Sequence, residues 1–340
     1  MRNYPTWHLF FFKVFLILCV LSGTSSFGQE EEKVHLSLIS DSKFVGSNSH
    51  LLLGLRAQLA PHWKTYWRSP GIAGYEVKLN WEGSRNIKSA QILWPLPRHV
   101  PTTMGTVNAY EGDTIFPIWV EVIDPNQPVH ASVQVDMLVC DASNCLPVME
   151  TLILDLPTGP RIESTEAVLL HRALDAVPKP LFSKGQTESL FQVGKVEVAG
   201  VHDSPPILQV VLSKTSGAFS ENDLPELFLE MKGLVVDSPD VSLSKDQKSV
   251  LYSAPLYPDT NRKPTSLPGL VGKTLKLTVG YQGQNSEIEK TLDSQSLRFG
   301  FWIGMLLIAF IGGLILNIMP CVLPVLSLKL LSILRHGERQ

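Results

Sequence analysis

Between Glu32 and Pro157 apolar and polar residues alternate with a period of two. The stretch Val34-His35-Leu36-Ser37-Leu38-Ile39 alternates, Leu51 to Leu59 is a second apolar run, and Tyr75-Glu76-Val77-Lys78-Leu79-Asn80-Trp81 alternates again. Ile115 to Val122, Ala131 to Val139 and Leu152 to Leu156 repeat the pattern. A period of two places every second side chain on one face of a strand. Short runs of this kind, separated by Gly, Pro, Asn and Asp, predict an antiparallel β-sandwich. No segment with a helical period competes with it.

The pattern loosens at Pro157-Thr158-Gly159-Pro160, where a linker is expected, with a short helix over Ser164 to Ala176. Strand patterning resumes near Phe191. Lys195 to Val198, Leu208 to Leu212, Leu227 to Met231 and Leu275 to Val279 predict a second β-sandwich, which contains no cysteine and reads as a spacer or interaction module. From Phe299 through Ser327 no residue is charged, and the apolar character continues to Leu334 apart from Lys329. Such a run is long enough to cross a bilayer. A straight helix of about 36 residues would measure about 54 Å against a hydrocarbon core of about 30 Å, so a break is expected, at Pro320 and Pro324. The expected organisation is a leader over 1–28, an exported β-sandwich over 29–160, a linker over 161–190, a second sandwich over 191–292 and a membrane segment over 297–340.

The leader follows from Leu9 to Leu21, an apolar run interrupted by Lys13, followed by Ser22-Gly23-Thr24-Ser25-Ser26-Phe27-Gly28. This is the layout of a secretory signal cleaved near Gln29. The alternative, an uncleaved anchor, calls for about 20 apolar residues, more than the run supplies. Arg298 precedes the membrane segment, whereas Lys329, Arg335 and Arg339 follow it, which puts the C-terminal side in the cytoplasm and the β domains outside. A formal net charge of -3 supplies no basic footprint for nucleic acid. With no phosphate loop and no zinc spacing, neither cofactor nor metal is expected.

Export changes the meaning of the four cysteines. Cys19 leaves with the leader; Cys140, Cys145 and Cys321 remain, in a compartment where pairs oxidise. In "VCDASNCLP" four turn-forming residues separate Cys140 from Cys145, so the two face each other at the mouth of a hairpin. At that separation a disulfide can close. A ring of about six residues stabilises by about 2 kcal/mol, a weak staple. Spacing leaves two readings open, a structural bridge and an exchangeable dithiol. Cys321, in "NIMPCVLPVLSLK", is either a small apolar helix residue or part of a functional break. Trp63, Tyr66 and Trp67 belong either to the sandwich core or to a loop capping the Cys140–Cys145 bond.

"GGLILNIMPCVLPVLSLKLLSILRHGE", from Gly312 to Glu338, resembles the first transmembrane segment of the DsbD-type thiol:disulfide interchange proteins, a region shared with the CcdA-type cytochrome c biogenesis proteins. "HWKTYWRSPGIAGYEVKLNW" from His62, "ILWPLPRHV" from Ile92 and "VCDASNCLP" resemble the exported N-terminal domain of that family, in particular its ScsB subgroup, associated with suppression of copper sensitivity. The resemblance implies immunoglobulin-like sandwiches and a relay. Cytoplasmic thioredoxin reduces cysteines in the membrane domain, these reduce a thioredoxin-like domain or protein, and that reduces the N-terminal pair, which serves exported partners. Carried over, Cys145 is the attacking thiol, Cys140 resolves, and Cys321 is the first membrane cysteine. The second membrane cysteine and the thioredoxin-like domain have no counterpart in this sequence, so a protein-disulfide reductase incomplete by itself is expected. The rival reading is a non-enzymatic, membrane-anchored interaction module with a structural disulfide.

Overall fold

The structure is a computed structural model that describes residues 32–181, 189–200, 204–258, 267–292, 297–298 and 301–318. The first ten strands are β1 (Val34–Ser40), β2 (His50–Leu59), β3 (Lys64–Gly71), β4 (Lys78–Asn80), β5 (Ile87–Ile92), β6 (Arg98–Thr102), β7 (Gly105–Glu111), β8 (Asp113–Val122), β9 (Val129–Cys140) and β10 (Cys145–Leu156). They form a four-stranded sheet, β1-β2-β8-β5, and a six-stranded sheet, β10-β9-β3-β7-β6, with β4 pairing β9. The period-two runs turn their apolar residues between the sheets. Leu51, Leu53, Leu55 and Ala57 of β2 meet Val129, Ala131, Val133, Val135, Met137 and Val139 of β9 in one core. The expected sandwich is present, and β3, β5, β6 and β7 are strands that the pattern did not mark.

A helix, α1 (Ala167–Asp175), follows and falls within the expected span. Strands β11 (Lys179–Pro180), β12 (Phe191–Ala199), β13 (Ile207–Lys214), β14 (Glu226–Met231), β15 (Leu234–Val236), β16 (Asp240–Leu243), β17 (Ser249–Pro258), β18 (Thr274–Tyr281), β19 (Gln284–Thr291) and β20 (Leu297–Arg298) build the second unit. Strand β17 joins its two layers, pairing β13 through Ser249–Pro255 and β15 through Leu256–Pro258. A second core, including Phe191, Leu208, Val210, Leu227, Leu229, Tyr252 and Leu277, lies between them.

The two cores interlock. Within β14, Leu227 and Leu229 point into the second core. Phe228 between them points the other way, and it is buried in the core of the first sandwich. Its ring lies edge-on to Trp67, with centroids 5.6 Å apart, and stacks on His99 at 4.3 Å. Beside it Arg68 donates to Glu230 through Nε and Nη2 at 2.9 and 2.6 Å and to Glu287 through Nη2 at 2.5 Å. Lys276 reaches the other oxygen of Glu287 at 3.0 Å. Burial opposes the charge on Arg68, but Glu230 and Glu287 outweigh it and hold the guanidinium above its ordinary range. For Glu287 the same contest ends with the carboxyl below its ordinary range, because Arg68 and Lys276 outweigh burial. A forked guanidinium between two carboxylates fixes register and orientation more than it adds net stability. The second sandwich is therefore a docked extension of the first.

The last described element, α2 (Phe301–Ile318), carries exposed Leu306, Leu307, Ile308, Phe310, Ile311 and Leu314. Among the described residues no helix is long and apolar enough to cross a membrane. The leader with Cys19, and the expected break at Pro320, Cys321 and Pro324, lie outside the described residues.

Candidate functional site

Strand β9 alternates strictly, and Val139 is the last of its residues in the main core. Cys140, one residue on, therefore points to the opposite face of the six-stranded sheet. It enters a separate small cluster with Tyr66, Val100, Val107 and Ala109. There it is 1% exposed. Asp141 to Asn144 turn the chain, and Cys145 opens β10 directly opposite Cys140. The two sulfurs are bonded, with Cα atoms 4.1 Å apart. Cys145, by contrast, is exposed. The bond therefore joins an exposed residue to a covered one.

The turn is held by Asp141. Its carboxylate accepts from the amides of Ser143 and Asn144 at 2.7 and 2.6 Å, and its own amide donates to the Asn144 carbonyl at 2.9 Å. Those two amides hold the Asp141 carboxyl below the usual carboxylate range. Twelve consecutive cross-strand pairs, from Cys140–Cys145 to Val129–Leu156, continue the hairpin below the turn. Strand β10 is an edge of its sheet. Leu146 and Met149, next to Cys145 along it, are exposed apolar side chains.

Strand β3 supplies the other wall. Lys64 sits opposite Cys140 in the ladder and is 6% exposed. Its Nζ donates to the Asp141 carbonyl at 3.2 Å. Among the described residues no carboxylate lies within ion-pairing distance of it. Two residues on, Tyr66 packs beside Cys140, and burial pushes its phenol pKa up. Gly74 crosses this ring at a φ of +95°, so close that a Cβ there would lie 2.4 Å from it. With Ile72 and Ala73 packed on the same cluster, the segment from Ile72 to Gly74 closes over Cys140. Tyr75 then anchors the segment by donating to Asp136 at 3.1 Å. The strand expected from Tyr75 begins only at Lys78, because Tyr75 to Val77 belong to this crossing.

The structure brings Cys140 and Cys145 together, and Cys321 lies outside the described residues. It separates the three aromatic candidates: Trp63 and Trp67 are main-core residues, and only Tyr66 reaches the neighbourhood of Cys140. Lys64 was not a sequence-level candidate. Its signal was a lone cation in the aromatic run Trp63-Lys64-Thr65-Tyr66-Trp67. No group of His, Cys, Asp and Glu that could hold a metal occurs among the described residues.

Comparison with known proteins agrees with this geometry. Residues 37–157 match the family model described as thiol:disulfide interchange protein DsbD, N-terminal. No curated protein matches the chain. The crystal structure of the N-terminal periplasmic domain of ScsB from Proteus mirabilis superposes with a TM-score of 0.60 at 20% sequence identity, covering 78% of this chain and 95% of that one. That likeness extends the shared fold across both sandwiches. Residues 37–157, with the disulfide at the mouth of their last hairpin, are thus similar to a DsbD-type N-terminal domain.

Proposed function

We propose that the Cys140–Cys145 pair is an exchanging dithiol that accepts electrons from a thioredoxin-like domain or protein and passes them to exported proteins with disulfides to be reduced. The observation that carries this reading is the asymmetry of the bond, with Cys145 exposed on an edge strand and Cys140 buried. Exchange needs one sulfur within reach of an attacking thiolate and a partner sulfur protected from side reactions. A structural role is the weaker reading. Twelve ladder pairs and the Asp141 turn already close this hairpin, so a disulfide at its tip adds little constraint. Cys145 is the sulfur attacked by the donor and the nucleophile toward the acceptor; Cys140 resolves the mixed disulfide.

The same reading places both sandwiches in the periplasm. The apolar stretch that begins in α2 then anchors the protein in the inner membrane, with its C-terminal side cytoplasmic and Cys321 in the membrane relay. The exposed apolar side chains from Leu306 to Leu314 and the uncharged run beyond them support this placement. Whether copper tolerance or cytochrome c maturation is served depends on the acceptor.

The test is the reduction potential of the Cys140–Cys145 pair in the full chain, measured in thiol buffers by mass spectrometry of the alkylated cysteines. A value in the range of exchange proteins, about −120 to −270 mV, supports exchange. A value below about −300 mV marks a structural bond and refutes it. A Cys140→Ala chain should accumulate a mixed disulfide through Cys145 with a thioredoxin-like protein.

A further inference from the structure

We infer that Lys64 is a positioning residue for the exchange reaction, its buried ammonium stabilising the thiolate that forms on Cys140 when the disulfide opens. This rests on the exchange reading above. In the opening step a donor thiolate attacks the exposed Cys145 sulfur. A new bond joins the donor to Cys145, the Cys140–Cys145 bond breaks, and its electron pair leaves on Cys140. The donor's second thiol, once deprotonated, attacks the donor sulfur of the mixed disulfide and releases Cys145 as a thiolate. Two electrons have then passed from a donor dithiol, which ends as a disulfide.

The difficulty lies with the leaving sulfur. Cys140 is 1% exposed among Tyr66, Val100, Val107 and Ala109, surroundings that disfavour a charge. An uncompensated thiolate there would be a poor leaving group, and exchange slows as the leaving thiol's pKa rises. Lys64 is the cross-strand neighbour of Cys140, and side chains so paired have Cβ atoms about 4.5 to 5.5 Å apart. Its amine is tethered to the Asp141 carbonyl at 3.2 Å, on the turn joining the two cysteines, and not to a carboxylate.

The other charged and titratable groups around the pair do not supply this role. Asp141, on the turn, is an anion whose carboxylate is bound by the amides of Ser143 and Asn144 and feels the Lys64 charge from beyond ion-pairing distance. Glu111, paired with Lys64 from β7, is exposed, and Asp136 on β9 accepts from Tyr75. Lys78 of β4 lies over the Tyr75 ring, 5.6 Å from its centroid. Tyr66 is kept protonated by burial and carries no charge. Lys64 is thus the buried cation directly across the ladder from the sulfur that must leave.

The test uses the full chain with Cys19, Cys145 and Cys321 replaced by Ser, so that Cys140 is the one thiol, titrated by thiolate absorbance near 240 nm. Cys140 should titrate below the ordinary cysteine value of about 8.5, and Lys64→Gln, which keeps a donor but removes the charge, should raise it by about one to three units. Lys64→Arg should restore the low value, which a purely structural role for the lysine would not require. In the four-cysteine chain, Lys64→Gln should slow reduction by dithiothreitol at pH 7 by about three- to tenfold. Circular dichroism checks folding, and Lys64→Met provides the same comparison if the Gln variant does not fold. Equal titration of Cys140 with Lys64 and with the neutral variant overturns the inference. A disulfide that no thioredoxin-type dithiol reduces refutes the exchange reading instead, and leaves the titration difference standing.

Discussion

Phe228 is the residue through which the second sandwich completes the first, so Phe228→Ala should do more than open a cavity. The side chain is 1% exposed, sits in the first core although its strand belongs to the second, and contacts Trp67 and His99. Truncating a buried Phe to Ala costs about 3 to 5 kcal/mol. The two ring contacts, each worth about 0.5 to 1.5 kcal/mol beyond area, favour the upper half of that range. For a unit of this size each kcal/mol lowers Tm by about 2 to 4 °C, so a fall of roughly 8 to 20 °C is expected. The assay can also separate the domains. Five of the seven tryptophans lie between Trp63 and Trp119, and the second sandwich has none. Tryptophan fluorescence therefore reports mainly the first sandwich, and far-ultraviolet circular dichroism reports both. The native protein should unfold in coincident transitions by the two probes, and Phe228→Ala in separated ones, with fluorescence changing first. Phe191→Ala, which empties only the second core, serves as the comparison. If Phe228→Ala leaves the fluorescence midpoint in place, or separates the probes no more than Phe191→Ala does, the interlock is not what couples the domains.

Acid should loosen the same interface in two windows. His99 has its pKa lowered because burial outweighs its hydrogen bond to the Leu227 carbonyl, so the stability linked to its neutral form is complete above about pH 6.5 and declines as pH falls below that value. Glu287, also lowered, contributes stability that is complete above about pH 4.5 and is lost as pH falls through its folded value. Tm measured from pH 3 to 8 should show both declines; His99→Gln should flatten the upper one and Glu287→Gln the lower, and unchanged profiles would contradict the assignment. In the reduced protein iodoacetamide should modify Cys145 at least about tenfold faster than Cys140, read by peptide mass spectrometry, since only Cys145 is exposed; equal rates would remove the asymmetry on which the exchange reading stands. Gly74→Ala should destabilise the first sandwich by about 1 to 3 kcal/mol in urea unfolding, because the residue combines a φ of +95° with contact to the Tyr66 ring, and a neutral result would mean that the crossing segment is not packed on Tyr66.

The parts of the fold legible in the sequence were those governed by local period. Strands β1, β8 and β9 bury one face more than the other, and alternation records that directly, whereas β2, buried without interruption from Leu51 to Leu55, is legible as an apolar run. Strand β3 escaped because Trp63 to Trp67 are buried without interruption, Trp67 in the main core and Tyr66 in the cysteine cluster. A strand covered on both faces has no alternation to read. Strand β7 is another such case, with Val107 to Tyr110 all buried. The second sandwich read as a spacer because Phe228 looks like any other residue of an apolar strand. Which core it entered depended on how two sheets met in space.

The cysteines divide in the same way. Sequence alone determined that Cys140 and Cys145 could bond, since four turn residues between two strands bring their ends together whatever the rest of the chain does. It could not determine which cysteine is exposed, because adjacent residues of a strand point to opposite faces and the covering of the outer face comes from Tyr66, Ile72 and Ala73, about seventy positions away. Nor could it bring Lys64 beside Cys140, a neighbour set by sheet register and not by chain separation. Local patterning closed the hairpin; the packing of distant strands over one end of the disulfide made its two sulfurs unequal.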